Sequence, residues 1–164
     1  MATTKTNIVW ASTNIQIKVA GVDVGGTKGG VEVQMESETY EIKIDQSLYP
    51  VYRKMTARKA TLRTNLSEGT LENLRIAWNL ASSALVSSSL SLNNTENSSV
   101  KLEFITKGPG ATPCTRTYTF WAAVSMSAGA QKYVNSEEMV IPVEFECLYD
   151  ETKTEIGTCI DVAA

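Results

Sequence analysis

The sequence predicts a mainly β chain, an antiparallel β-sandwich or barrel-like subunit with one flanking α-helix at about residues 68–85. Three observations predict it. Apolar and polar residues alternate with period two in run after run. One stretch alone changes to helical spacing, and clusters of Gly, Ser, Asn and Pro separate the runs. The 164 residues are 43% hydrophobic and 20% charged, which suits one globular domain spanning residues 1–164, with extended terminal segments and a long loop at 45–59.

The elements follow in order. Short strands "NIVWA" and "IQIKVA" open the chain. "AGVDVGGTKGGVEV" is rich in glycines that tolerate positive φ and reverse the chain before the next strand. "GVEVQME" then sets Val31, Val33 and Met35 against Glu32, Gln34 and Glu36, and "TYEIKID" sets Tyr40, Ile42 and Ile44 against Glu41, Lys43 and Asp45. With Ser37 and Glu38 between them, these two runs predict a hairpin. Residues 45–59 form a long connection with two tyrosines and several cations, a composition suited to a protein contact. "KATLRTNL" alternates Ala60, Leu62, Thr64 and Leu66 against Lys59, Thr61 and Arg63.

Leu71, Leu74, Trp78, Ala81 and Leu85 form a helical stripe, with Ser67 as N-cap and Glu68 in the first turn, where the helix dipole favours an anion. Ile76 and Leu80 fall on the opposite side, where either a loop or another subunit covers them. Residues 87–99 read as exposed turn. Three strands follow: "VKLEF", "RTYTFWAAVSM" with Tyr118, Phe120, Ala122, Val124 and Met126 in phase, and "EEMVIPVEFECLY", in which Pro142 marks an edge or bulge. "EIGTCIDV" closes it.

The chemistry is thin. Histidine is absent, which removes the commonest general base and rules out Ser-His-Asp or Cys-His nucleophiles. Cys114, Cys147 and Cys159 lack disulfide or zinc spacing, and the acidic residues are scattered or placed on exposed strand faces, so no catalytic residue, metal or cofactor is expected. The formal net charge of −3 disfavours tight nucleic-acid binding. No secretion signal or membrane-length apolar run is evident. Asp23, Gly25, Gly26, Thr27 and Lys28 resemble the first phosphate hairpin of repressor-type sugar kinases, but the likeness ends there and the chain is short for a two-lobed enzyme.

A longer block, Gly29 to Leu80, carries a different likeness. Its glycine turn, its acidic strands "VEVQMESETYEIKID", its "YPV" loop and then "RKATLRTNLSEGTLENLRIAWNL" together resemble the tail tube, or major tail, protein of tailed bacteriophages. That resemblance implies a non-enzymatic structural subunit. Six copies would form a ring, and rings would stack into a hollow tube passing DNA and the tape-measure protein without tight binding. It also implies assembly in the host cytoplasm, a place in the virion tail, contractile with a sheath or non-contractile without one, no membrane, and terminator and baseplate or tail-tip proteins as neighbours.

On this reading Glu32, Gln34, Glu36, Glu41 and Lys43 are lumen-facing candidates, although the same residues equally suit an outer, solvated face. Tyr49, Tyr52, Arg53, Lys54 and Arg58 are candidates for contact between rings, and Ile76 and Leu80 for contact within a ring. The alternatives are a tube subunit of a bacteriocin or secretion apparatus, and a host- or carbohydrate-binding β-sandwich with Trp10, Trp78 or Trp121 as an exposed platform.

Overall fold

The computed structural model describes residues 15–45, 49–92, 98–109, 114–126, 131, 133 and 135–163. The expected strand "NIVWA", with Trp10, lies outside them. The fold is antiparallel and mainly β, a sandwich-like arrangement with one helix. Its strands are β1 (Gln16–Val19), β2 (Val22–Asp23), β3 (Thr27–Ile42), β4 (Tyr52–Leu66), the short pair β5 (Leu85–Val86) and β6 (Ser89–Leu90), β7 (Val100–Lys107), β8 (Cys114–Ser125), β9 (Ile141–Leu148) and β10 (Gly157–Ala163). The main sheet runs β2-β1-β7-β8-β9-β4-β3, with β10 also on β8.

Alternation becomes burial where the pattern is strict. Leu62 and Leu66 of β4, Leu102 and Phe104 of β7, and Ile141, Val143, Phe145 and Cys147 of β9 all enter one core with Ile17 and Val19. Burial of the Cys147 thiol pushes its pKa up to about 12, which keeps it protonated and inert. Pro142 pairs with Asn65 of β4, while the ladder to β8 covers only Phe145 to Leu148; the missing N–H therefore falls where the other side of the strand is unpaired.

Strand β8 departs from the expected phase. Val100 pairs with Ala123 but Leu102 with Phe120, so an extra residue is accommodated around Trp121 and Ala122. Phe120 is inward before this bulge and Ala123 after it, whereas Met126 is exposed. On its other edge β8 holds β9 at Ala122 to Ser125 and β10 at Cys114 to Phe120. Strands β9 and β10 thus share one edge, interrupted by residues 149–156 opposite Trp121. The Trp121 indole N–H donates to Glu155 Oε1 at 2.9 Å, and Lys153 and Lys101 lie over its ring at 5.0 and 5.4 Å.

The strand resumes at Gly157, where an added Cβ would lie 2.4 Å from the Thr119 carbonyl oxygen. Gly157→Ala is therefore expected to lift β10 off β8 and destabilise the chain by about 2 kcal/mol, read as a lower urea midpoint and faster amide exchange in residues 157–163. Unchanged exchange there would show that the close approach is unimportant.

The helix is shorter than the periodicity suggests. α1 (Leu71–Ala77) is capped not by Ser67 but by Thr70, whose side chain accepts a hydrogen bond from the Asn73 amide at 3.2 Å. It ends because Asn79 takes a left-handed conformation (φ 51°), after which a 3-10 turn at Ser82–Ala84 leads into β5. Buried polar groups fix it at both ends. Asn73 Nδ2 donates to the carbonyls of Val24 and Glu68, each at 2.9 Å, and Ser125 Oγ donates to Ala77 O at 3.0 Å.

Candidate functional site

Strands β3 and β4 outlast the sheet that supports them. β9 lies beside β4 only from Ala60 to Leu66, yet the β3–β4 ladder continues from Glu36↔Lys59 to Ile42↔Tyr52. This two-stranded arm projects by about 20 Å at the usual rise per residue. Two sequence expectations change here. Ser37 and Glu38 are not a hairpin turn but mid-strand, and Tyr52 to Lys59 of the expected 45–59 loop are strand; β3 and β4 run antiparallel up to the Ile42↔Tyr52 pair.

The arm also reverses its apolar side. Val31, Val33 and Met35 stand opposite Thr64, Leu62 and Ala60, and the two valines pack on the core. Tyr40 and Ile42 have the opposite parity in the same unbroken strand and stand with Lys54 and Tyr52. A bulge at Thr56 accompanies the switch, because Glu38 pairs with Ala57 and Thr39 with Met55. Tyr40 is 63%, Tyr52 59% and Met55 48% exposed, and Ile42, Ile44, Tyr49 and Val51 are exposed as well. A two-stranded ribbon is marginal alone in water, and a row of large apolar groups on one marks a surface built to be covered. Arg53 and Glu41 pair on the other face of the arm.

Of the expected lumen residues, Glu32, Gln34 and Glu36 share the outer face of the sheet. Their cross-strand neighbours are Arg63, Thr61 and Lys59, and β9 adds Glu144 and Glu146. Arg63 meets Glu144 at 2.9 Å and Lys59 meets Glu146 at 3.1 Å. The hydrogen bond from Arg63 holds the Glu144 carboxyl below its usual range. The face is mixed in sign with an acidic excess, and its exposed pairs add little stability. Glu41 and Lys43 do not join it: Glu41 has the other parity, and Lys43 lies beyond the end of β3.

Tyr49, Tyr52, Arg53, Lys54 and Arg58 are all exposed on the arm or its connection. Ile76 and Leu80 are corrected. They are 5% and 9% exposed within the chain's own interior, so they offer no surface to a neighbour. Because α1 stops at Ala77, Leu80 leaves helical phase, and the β5–β6 hairpin packs against the helix.

The kinase-like glycines hold a carboxylate of the chain itself. Gly26 N–H donates to Glu68 Oε1 at 3.1 Å, Asp23 accepts from Gly25 N–H at 2.9 Å, and Lys28 meets Glu138 at 2.6 Å. Gly25 sits at φ 83°, and a Cβ there would overlap the Glu68 carboxylate. Among the described residues no group of three or more Cys, Asp or Glu is placed to hold a metal, and no helix is long and apolar enough to cross a membrane. Trp121 lies beneath two lysines and Trp78 packs on the core, so neither is an open stacking platform.

Strand β10 is fastened by a bidentate pair, Arg116 Nε and Nη2 to Asp161 at 2.6 and 2.7 Å. Hydrogen bonding from Arg116 holds the Asp161 carboxyl below its ordinary value of 3.8. A depressed carboxylate contributes stability that is present above pH 3.8 and lost as the pH falls through the folded value. Exchange of the β10 amides, corrected for the intrinsic pH dependence of exchange, is thus expected to rise as the pH falls from about 5 to about 3. Asp161→Asn should remove most of that pH dependence; a variant that retained it would place the titrating group elsewhere.

The sequence reading missed the Trp121 cluster and the parity switch in the arm. The first joins residues far apart in the chain. The second was readable, since Tyr40 lies five positions, an odd number, after Met35 and an uninterrupted strand must then place the two on opposite faces. No protein-family model matches the chain, and no curated protein matches it.

Proposed function

We propose that this chain is a non-enzymatic structural subunit that assembles with copies of itself into stacked rings, the wall of a hollow tube like that of a bacteriophage tail. The observation that carries the reading is the arm, whose tyrosines and aliphatic side chains are left uncovered by the chain that makes them. The sheet supports it in a second way. Among the described residues β3 and β10 each have an edge with no strand beside it, and β10 places exposed Ile160 and Val162 in a strand without a lysine, a proline or a bulge to blunt it. Unlike edges that pair between copies make a heterologous contact, which closes into a ring when the rotation allows. Within such a ring the acidic excess beside Glu32, Gln34 and Glu36 suits a wall along which DNA moves without being gripped.

Analytical ultracentrifugation and negative-stain microscopy of the purified chain over a wide concentration range test this. Rings or tubes with a central channel are the expected result. A chain that sediments as a monomer at every concentration refutes the reading.

A further inference from the structure

We infer that two copies of the chain pair edge to edge through β10, antiparallel and centred on Ile160, and that this closed pair holds the chain out of rings. The pairing stands on the geometry of β10 alone; its effect on assembly rests on the reading above.

β10 is held along one side only. Among the described residues its one neighbouring strand is β8, and every side chain from Cys159 to Ala163 is exposed, whichever face it occupies. The ladder shows which backbone groups lack a second neighbour. Gly108 N–H donates to Cys114 O at 2.8 Å on the β7 side of β8, and Trp121 N–H donates to Ile156 O at 3.3 Å on the β10 side. Exchanges of this kind recur at every second pair of an antiparallel ladder. Thr158, Ile160 and Val162, opposite Thr119, Thr117 and Thr115, therefore turn their N–H and C=O groups toward β8. Gly157, Cys159, Asp161 and Ala163 turn theirs to the open edge.

A second β10 satisfies those groups. A twofold axis normal to the sheet brings two identical edges together antiparallel and keeps Ile160 and Val162 of both copies on one face. With Ile160 on the axis, Gly157 meets Ala163 of the second copy and Cys159 meets Asp161, so the outward groups along the whole of β10 exchange hydrogen bonds. Ile160 then meets Ile160 at a position without hydrogen bonds, where side chains approach most closely, and Val162 meets Thr158. Neighbouring registers fit worse. Centring on Asp161 sets two carboxylates opposite each other, and centring on Cys159 drives Val162 and Ala163 against residues 155–156, where Ile156 O already serves Trp121. In the register centred on Ile160 each Asp161 faces a thiol and arrives with its own Arg116.

An open edge binds one strand at a time. A copy paired in this way has no β10 edge left for the contact between unlike edges that closes a ring, so the pair is a resting form that ring contacts must displace.

Cysteine placement reads the register. In a Cys159→Ser background, Ile160→Cys brings two thiols together at the axis, whereas Val162→Cys leaves them about 14 Å apart, beyond the reach of a disulfide. Near-ultraviolet circular dichroism confirms that each variant is folded. Under mild oxidation Ile160→Cys is expected to form covalent dimers at least about tenfold faster than Val162→Cys or the Cys159→Ser parent. A mixture of Thr158→Cys with Val162→Cys should crosslink where neither does alone. The oxidised Ile160→Cys dimer is expected to form no rings until it is reduced. If Val162→Cys links as fast as Ile160→Cys, or Ile160→Cys never links, the pairing falls while the assembly reading stands. Covalent dimers that enter rings without reduction overturn the resting form. Rings that never appear, even after reduction, overturn the assembly reading and the resting form with it, but leave the pair.

Discussion

Replacing residues 38–57 with Asn-Gly will yield a chain that folds as before but lacks the proposed assembly into tubes. The substitution joins Ser37 to Arg58, which already face each other across the ladder, through a dipeptide suited to a tight hairpin. Nothing in the core is lost. The innermost buried residues of this hairpin are Ala60, Leu62 and Leu66, on the supported side of Lys59, and all of the described arm side chains beyond Lys59 except Glu41 are exposed. Stability should therefore change by no more than about 1 kcal/mol, a shift of roughly 2–4 °C in Tm for a chain of this size. Assembly should fall below detection. Tubes that persist in the shortened chain would show that the arm is dispensable, and a collapse in Tm would show that it supports its own subunit.

Arg75→Ala will have the opposite signature, loss of stability without any direct effect on the arm. The Arg75 side chain is only 8% exposed, and its guanidinium spans the end of α1, donating to both carboxylate oxygens of Glu72 at 2.7 and 3.1 Å and to Leu80 O at 2.9 Å. Removing it leaves the Leu80 carbonyl without this donor and Glu72 without its buried partner. The expected cost is about 3 kcal/mol, toward the lower end for a broken buried ion pair because Glu72 can still turn to water. Thermal unfolding of the dilute chain checks this as a fall of roughly 6–12 °C in Tm. Arg75→Lys restores the charge but not the fork of donors, and should recover less than half of the loss. A variant as stable as the parent would mean that the loop after α1 needs no such support.

These expectations also mark how far local pattern reaches. Strict alternation with a single polar face, as in "KATLRTNL" and "PVEFEC", identified buried positions, because a strand with one face in the core has no freedom in its side-chain parity. The same rule misled in β8, where a bulge opposite Val100 and Leu102 restarts the phase. It misled again at Ser37 and Glu38, where two runs of opposite parity invite a turn but the chain runs straight through. For α1, the apolar spacing continued past the helix because Ala81 and Leu85, both half-buried, flank the 3-10 turn that follows on, with Leu85 already in β5. Periodicity counts buried residues and does not see the left-handed Asn79 that stops the helix.

By itself the sequence determined the class of fold, the strands of the core, the absence of histidine chemistry and a cationic, tyrosine-bearing segment between residues 43 and 58. Those properties depend on side-chain type and on separations of a few residues, which pattern records directly. Only the tertiary structure decided that this segment is the end of a ribbon outrunning its sheet, that Ile76 and Leu80 are sealed inside, and that Glu68 and Glu138 reach Gly26 and Lys28 at the start of β3. Each of these depends on where a neighbouring strand stops or which loops meet, and pairing between distant strands sets that, not the local order of residues.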